Sequence, residues 1–168
     1  MPYADRSFAA SVDLKVLFFR DAADLYASPD GPGHGFAPAT AHSAGIDLRA
    51  CFAQSEATLE PGGRFAVPAG VAIEIGAPGL AGFIYARSGL GAVRGLTVAQ
   101  GVGVIDPDYR GEIVVWLLNT SREAQIVQRG ERIAQLLILP FVRPRVIPSA
   151  SLATTERGSG GFGHTGSL

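Results

Sequence analysis

Short hydrophobic runs, several of them alternating with polar residues, recur along the chain and predict β-strands rather than long helices. Between Ile46 and Arg49, aliphatic and charged residues alternate with the two-residue period of a half-buried strand. The charged Asp47 in this run is therefore expected to leave the core face. Other runs predict strands at residues 14–20, 64–67, 71–75, 82–86, 113–119 and 125–127.

Residues 132–139, Arg-Ile-Ala-Gln-Leu-Leu-Ile-Leu, fit either a helix or a strand by pattern. The run ends at Pro140 and its surroundings are rich in predicted strands, so a buried strand is favoured. Gln135 is the one neutral polar residue in the run. Because a buried amide needs partners, Gln135 either bonds to backbone or turns toward a ligand. Trp116, in the strand predicted at 113–119, is expected in the core or in a subunit interface.

The chain is organised around residues 103–112, Gly-Val-Ile-Asp-Pro-Asp-Tyr-Arg-Gly-Glu, where two predicted strands flank a polar turn. The turn carries two carboxylates, a phenol and a guanidinium. Its Asp-Pro-Asp order suits a turn, because proline fixes φ and aspartate pairs with nearby backbone donors. These groups are candidates for catalysis. A hairpin whose polar residues merely face water fits this stretch equally well.

Two further segments interrupt the strand pattern. Arg87, Ser88 and Gly89 follow the strand predicted at 82–86, and a cation and a hydroxyl beside glycine can approach a phosphate closely. An exposed Arg-Ser turn is the alternative. The Pro- and Gly-rich residues 28–41 are interpreted as a surface loop inserted at the edge of one domain, without an assigned function.

The C-terminal stretch, residues 157–166, has the composition of a flexible tail. Phe162 lies among glycines there, Arg157 precedes it, and His164 and Thr165 follow it. A mobile segment with a ring, a cation and polar donors is suited to closing over a ligand that is part aromatic and part anionic.

Composition sets limits on the class of protein. The 168 residues are 47% hydrophobic and 17% charged, which suits one domain with a core, interpreted as residues 1–155 with a lid at 156–168. A net charge of −1 gives no reason to expect a nucleic-acid polymer or an anionic membrane as partner. Cys51, the one cysteine, is expected as a small buried residue in a strand. With 22 glycines and 11 prolines, at most one short helix is expected.

The polar segments, taken in order, resemble the five motifs of the trimeric dUTP nucleotidohydrolases (dUTPases). The matching segments are residues 44–50, 87–90, 103–112, 132–136 and 157–166. The resemblance implies an all-β, jelly-roll-like β-barrel with a flexible C-terminal tail, assembled as a homotrimer with shared active sites. It also implies Mg²⁺-assisted hydrolysis of dUTP to dUMP and pyrophosphate.

The resemblance also assigns roles to individual residues. Asp106 would be the general base for water attack at the α-phosphorus, and Tyr109 would pack against the deoxyribose and exclude a 2′-hydroxyl. Asp47 would orient the site and reach the metal through water. The phosphates would be held by Arg87, Ser88, Gly89 and Gln135.

Base recognition and closure would come from other segments. Gln100 lies where many relatives have an asparagine that reads uracil, and its amide offers the same groups on a longer arm. Phe162 would stack on the uracil. Arg157, His164 and Thr165 would contact the terminal phosphate.

The expected role is that of a cytoplasmic enzyme that limits uracil incorporation into DNA and supplies dUMP for dTMP synthesis. Ala86 and Gly91 depart from the family pattern, in which proline and alanine are common at these positions. Two rivals are a dCTP deaminase of related fold and a catalytically silent jelly-roll interaction module. The deaminase is expected to differ in its catalytic region and to lack the glycine-rich tail that carries Phe162. The combination of Asp106, Tyr109, Arg157 and Phe162 argues against the interaction module.

Overall fold

The computed structural model describes residues 11–161, and short strands dominate this span. The strands are β1 (Leu14–Phe18), β2 (Ile46–Arg49), β3 (Glu56–Leu59), β4 (Arg64–Pro68), β5 (Val71–Ile75), β6 (Leu80–Tyr85), β7 (Leu96–Val98), β8 (Gly103–Ile105), β9 (Val114–Asn119), β10 (Gln125–Gln128) and β11 (Arg132–Pro140). The helical segments described are α1 (Ala22–Leu25) and a one-turn π-helix (Gly89–Val93). Within this span no helix has the length and hydropathy needed to cross a membrane.

Antiparallel pairing joins the strands into four sheets in the described part of the chain. A four-stranded sheet has the order β2-β11-β6-β8, and a three-stranded sheet has the order β4-β9-β7. The pairs β1-β5 and β3-β10 complete the set. The predicted all-β, jelly-roll-like class is confirmed, although the sheets described do not close into one barrel.

All the predicted strands are present, with ends shifted by at most two residues. The run 132–139 is a strand, β11, because it pairs with β2 on one side and β6 on the other. Strands β3 and β7 were not predicted. The hairpin interpretation of residues 103–112 is wrong: β8 pairs with β6 and β9 pairs with β4 and β7, so the turn connects two different sheets.

The core lies between the sheets and is built from their inward-facing aliphatic residues. Leu48, Leu117 and Ile133 are fully buried, as the alternating pattern predicts. Cys51 is buried as predicted, but it lies outside any strand. The core placement of Trp116 is wrong, since this side chain is 48% exposed on β9; its place in a subunit interface remains a prediction.

An aromatic cluster ties the first part of the chain to the strand that carries Asp47. Tyr26 packs against Phe18 and Phe36 with ring centroids 5.9 and 5.3 Å away. The buried Tyr26 hydroxyl donates to the carbonyl of Ala69 at 2.9 Å and accepts from the backbone N–H of Arg49 at 2.7 Å. The start of the 28–41 loop is therefore anchored to β2.

Candidate active site

Three neighbouring strands bring Asp47 close to two of the residues expected to hold phosphates, Gln135 and Arg87. Asp47 of β2 lies opposite Gln135 of β11, and Gln135 lies opposite Tyr85 of β6. Arg87 follows just beyond the end of β6. Antiparallel pairing therefore brings Asp47 and Arg87 together although they are 40 residues apart in sequence.

The Asp47 carboxylate lies between two arginines. Its Oδ1 accepts a hydrogen bond from Arg87 Nε at 2.8 Å, and its Oδ2 accepts one from Arg132 Nη1 at 3.2 Å. The carboxylate side chain is 24% exposed and the arginines 29% and 48%, so solvent limits each pair to about 1 kcal/mol or less. The pairs thus orient the guanidiniums more than they stabilise the fold.

These side chains line an open cleft of about 540 Å³. Its wall includes the hydroxyl-bearing residues Ser43 and Ser88, and also Gly89, the first residue of the π-helix. Two cations and two hydroxyl groups make the cleft rich in donors, and its volume is typical of small-molecule sites. Arg87 and Ser88 therefore belong to a cleft suited to a polyphosphate, not to an isolated surface turn.

Gln135 both bonds to backbone and faces the cleft, the two alternatives that the sequence left open. Its Nε2 donates to the carbonyl of Ala86 at 3.1 Å, and the residue lines the cleft. Gly45 makes this position accessible, because a Cβ on Gly45 would lie 3.0 Å from Gln135 Oε1. The backbone bond fixes the amide, and the absence of a side chain at residue 45 leaves room beside it.

Some residues of the cleft were missed in the sequence analysis. Arg132 is the second cation on Asp47, and Ser43 and Ala39 also line the wall. Arg132 had a signal, since it is the first residue of the fourth motif. Ala39 had none, because its place depends on the bridge between Pro38 and Ile46 that brings the 28–41 loop to the edge of β2.

A second group of predicted site residues lies elsewhere in the chain. Asp106 directly follows β8 and is exposed, and Tyr109 in the same turn is 45% exposed. The Gln100 amide lies near Gly103, at the start of β8: a Cβ on that glycine would be 3.4 Å from Gln100 Nε2. None of these three side chains lines the Asp47 cleft of the same chain.

The sheet register gives the separation of the two groups. Ile105 pairs with Gly82 of β6, and one more residue along the same register puts Asp106 level with Ala81, four residues from Tyr85. Three strand spacings separate β2 from β8. With about 3.3 Å per residue and about 4.8 Å per strand, Asp47 and Asp106 lie on the order of 20 Å apart along the sheet. One chain therefore does not bring these two carboxylates to the same phosphate.

The C-terminal candidates are only partly described. Arg157 is exposed, and its Nε donates to the carbonyl of Gly160 at 3.0 Å within a local turn. Phe162, His164 and Thr165 lie outside the described residues. Their roles remain predictions.

The fold is all-β, and it carries an open cleft rich in hydrogen-bond donors. The family model for dUTPase matches residues 32–166. The deoxyuridine 5'-triphosphate nucleotidohydrolase of Desulfitobacterium hafniense is 48% identical over 128 residues, covering 76% of this chain and 84% of that protein. The chain therefore belongs to the dUTPase family.

Solved structures support the same fold. The dUTPase of Streptococcus mutans superposes with a TM-score of 0.64 at 26% identity, covering 78% of this chain and 98% of that chain. A mutant dUTPase of Staphylococcus bacteriophage 80alpha with dUpNHpp has a TM-score of 0.73 at 22% identity, covering 92% of this chain and 98% of that chain. The second likeness shows the fold alone.

Proposed function

We propose that this protein hydrolyses dUTP to dUMP and pyrophosphate. The single observation that carries the proposal is the Asp47 carboxylate held between Arg87 and Arg132, in a cleft that Gln135 also lines. Fixed guanidiniums stabilise negative charge on a polyphosphate. Membership in the dUTPase family indicates that the polyphosphate belongs to dUTP.

Asp106 is proposed as the general base. A carboxylate within hydrogen-bond reach of a water takes its proton as the water oxygen bonds to the α-phosphorus. The bond from the α-phosphorus to the bridging oxygen breaks, and pyrophosphate leaves. Asp106 is exposed at the end of β8, so it is available to a ligand, and positioned proton transfer of this kind is typically worth about 10² to 10⁴ in rate.

Selectivity is proposed to come from the same turn and from the tail. The Tyr109 ring packs against the deoxyribose and leaves no space for a 2′-hydroxyl, while Gln100 beside Gly103 reads the uracil edge. Rejection of another base requires such placed donors and acceptors. In the tail, Phe162 stacks on the base.

The remaining tail contacts are proposed to close the site over the phosphates. Arg157, His164 and Thr165 bind the terminal phosphate, so closure of residues 156–168 supplies charge and excludes water. Arg157 has no carboxylate partner among residues 11–161, which leaves its charge available to an anion.

The residues of the cleft fit a bound Mg²⁺ ion. In this family the substrate phosphates are expected to supply most of the metal ligands. Residues 11–161 contain no cluster of three or more potential metal-binding side chains, so they offer no all-protein cage. Asp47 has two oxygens that each accept one arginine bond, and their remaining lone pairs can contact a metal-bound water. When bound, Mg²⁺ neutralises charge developing on the phosphates.

We propose a homotrimer with shared active sites, because the Asp47 cleft and the Asp106 turn lie far apart within one chain. Asp47 and Asp106 lie on the order of 20 Å apart along the sheet, yet both are assigned to one nucleotide. A neighbouring copy that presents its Asp106 turn to the Asp47 cleft would satisfy both assignments. In the cytoplasm such an enzyme limits uracil in DNA and provides dUMP for dTMP synthesis.

A nucleotide panel with pyrophosphate detection tests the proposal. The purified protein with Mg²⁺ should release pyrophosphate from dUTP much faster than from dCTP, dTTP or UTP. Asp106→Asn should reduce turnover by about 10² or more while nucleotide binding persists. Asp108→Asn is the matched control, since Asp108 is an exposed carboxylate in the same turn and is expected to keep activity. Ammonia release from dCTP, or full activity of Asp106→Asn, would contradict the proposal.

A further inference from the structure

The Tyr109 ring is folded back over the backbone of its own turn. Its hydroxyl donates to the carbonyl of Glu112 at 3.0 Å. A Cβ on Gly111 would lie 2.6 Å from the ring atom Cζ and 3.0 Å from Cε2, closer than atoms in contact approach. The ring therefore occupies the space that a side chain at residue 111 would take.

The acceptor of the phenol is itself held from the opposite side. The Glu112 carboxylate accepts hydrogen bonds from both terminal nitrogens of Arg20 and, at 2.9 Å, from the backbone N–H of Gly70. The next residue, Ile113, donates its N–H to Val71 and accepts from Ala69, both at 2.8 Å. These bonds fix residues 112–113 against the turn between β4 and β5.

Arg20 adopts an unusual backbone conformation for this contact. Its φ is 53°, and it is the one non-glycine residue in the left-handed region within residues 11–161. The hydrogen bond to Glu112 raises the pKa of the guanidinium above its already high ordinary value, so the cation persists at every working pH. The left-handed conformation thus occurs at the residue whose guanidinium binds Glu112, next to the turn that carries Tyr109.

We propose that Gly111 and the Arg20–Glu112 pair are positioning residues that fix the Tyr109 ring and thereby set discrimination against nucleotides with a 2′-hydroxyl. The inference rests on the proposed role of Tyr109 as the wall beside the deoxyribose. A steric wall acts over fractions of an ångström, so a displaced ring admits the extra hydroxyl. Neither Gly111 nor the ion pair needs to touch the nucleotide.

Gly111→Ala is the direct test, because the backbone accepts it while the ring does not. Gly111 does not have a left-handed φ, so alanine is not strained there. The atoms that must yield are at the far end of the Tyr109 side chain. We expect the ratio of kcat/KM for dUTP over UTP to fall about tenfold or more, with the thermal midpoint unchanged or slightly raised.

Further variants separate positioning from general damage. Tyr109→Phe removes the bond to the Glu112 carbonyl without adding an atom, and we expect the ratio to fall about twofold to tenfold. Arg20→Asn removes the guanidinium but keeps a residue that tolerates the left-handed conformation, with a fall of similar size expected. Gly91→Ala is the matched control: a Cβ there lies 3.8 Å from its nearest neighbours, and the ratio should be unchanged.

Tyr109→Ala distinguishes a failure of the proposed positioning role from a failure of the proposed dUTPase function. If the wild-type protein releases no pyrophosphate from dUTP, the proposed function fails before any ratio is compared. If Tyr109→Ala leaves the ratio unchanged, the ribose wall is wrong and the inference falls with it. If Tyr109→Ala lowers the ratio but Gly111→Ala does not, or Gly91→Ala lowers it equally, the positioning role alone is overturned. A fall confined to the Tyr109, Gly111 and Arg20 variants supports it.

Discussion

Removing one oxygen from Tyr26 should destabilise the fold strongly, because that oxygen holds two backbone groups. Tyr26→Phe deletes the bond to the Ala69 carbonyl and the bond from the Arg49 N–H, and leaves the ring in place. Each of these groups costs about 1–3 kcal/mol when it loses its partner, so we expect a loss of about 2–6 kcal/mol. For a chain of this size that corresponds to a fall of about 4–24 °C in the thermal midpoint.

Urea unfolding followed by circular dichroism measures this loss. Both proteins are compared at equal concentration, because subunit association links stability to concentration. Tyr85→Phe is the matched control, since the Tyr85 hydroxyl makes no hydrogen bond to a described residue, and a change within about 0.5 kcal/mol is expected. A loss below about 0.5 kcal/mol for Tyr26→Phe would refute the reasoning.

The same phenol predicts a dependence on pH. Burial raises the pKa of Tyr26 above its ordinary value of 10.0. Above about pH 10 the Tyr26 phenol loses its proton in the unfolded chain but keeps it in the folded chain. Its contribution to the free energy of unfolding is therefore fully present below pH 10 and decreases as pH rises beyond it. Tyr26→Phe lacks this contribution, while the other ionisable groups titrate in both proteins. The stability difference should therefore narrow above about pH 10, and a difference that is constant to pH 11 would contradict the assignment.

Two further predictions concern the tail and the metal. Deleting residues 157–168 should reduce turnover of dUTP by about 10² or more while moving the thermal midpoint by less than about 2 °C, since residues 157–161 lie mainly at the surface; an equally active truncated protein would contradict the lid. Chelation with EDTA should abolish pyrophosphate release, and added Mg²⁺ should restore it. Full turnover in excess EDTA would contradict a requirement for the metal.

Local pattern was sufficient for the strands that carry the cleft. The alternation from Ile46 to Arg49 placed Asp47 off the core face, and Pro140 and the strand-rich surroundings favoured a strand for β11. The motif order assigned Asp47, Arg87 and Gln135 to one site, and all three line one cleft, while their roles there remain predictions. These features depend on neighbours in sequence or on the family resemblance.

Features set by tertiary contact escaped prediction. The partners of β8 and β9 lie in different sheets, and nothing in residues 103–112 distinguishes that crossover from a hairpin. The contact of Arg132 with Asp47 accompanies a register shift in β11 between Arg132 and Ala134, which has no local signature. The four-residue helix α1 is too short to show a helical period and lies in the segment that Tyr26 anchors.

Mixing two inactive variants tests the central claim, that each site joins the Asp47 cleft of one copy to the Asp106 turn of another. Arg87→Ala disables the cleft, and Asp106→Asn disables the turn. If each site takes its cleft and its turn from different copies, random exchange of equal amounts leaves about a quarter of sites with both parts intact. We therefore expect dUTP turnover near a quarter of the wild-type value after verified subunit exchange. Turnover that stays at the level of the separate variants would contradict the account.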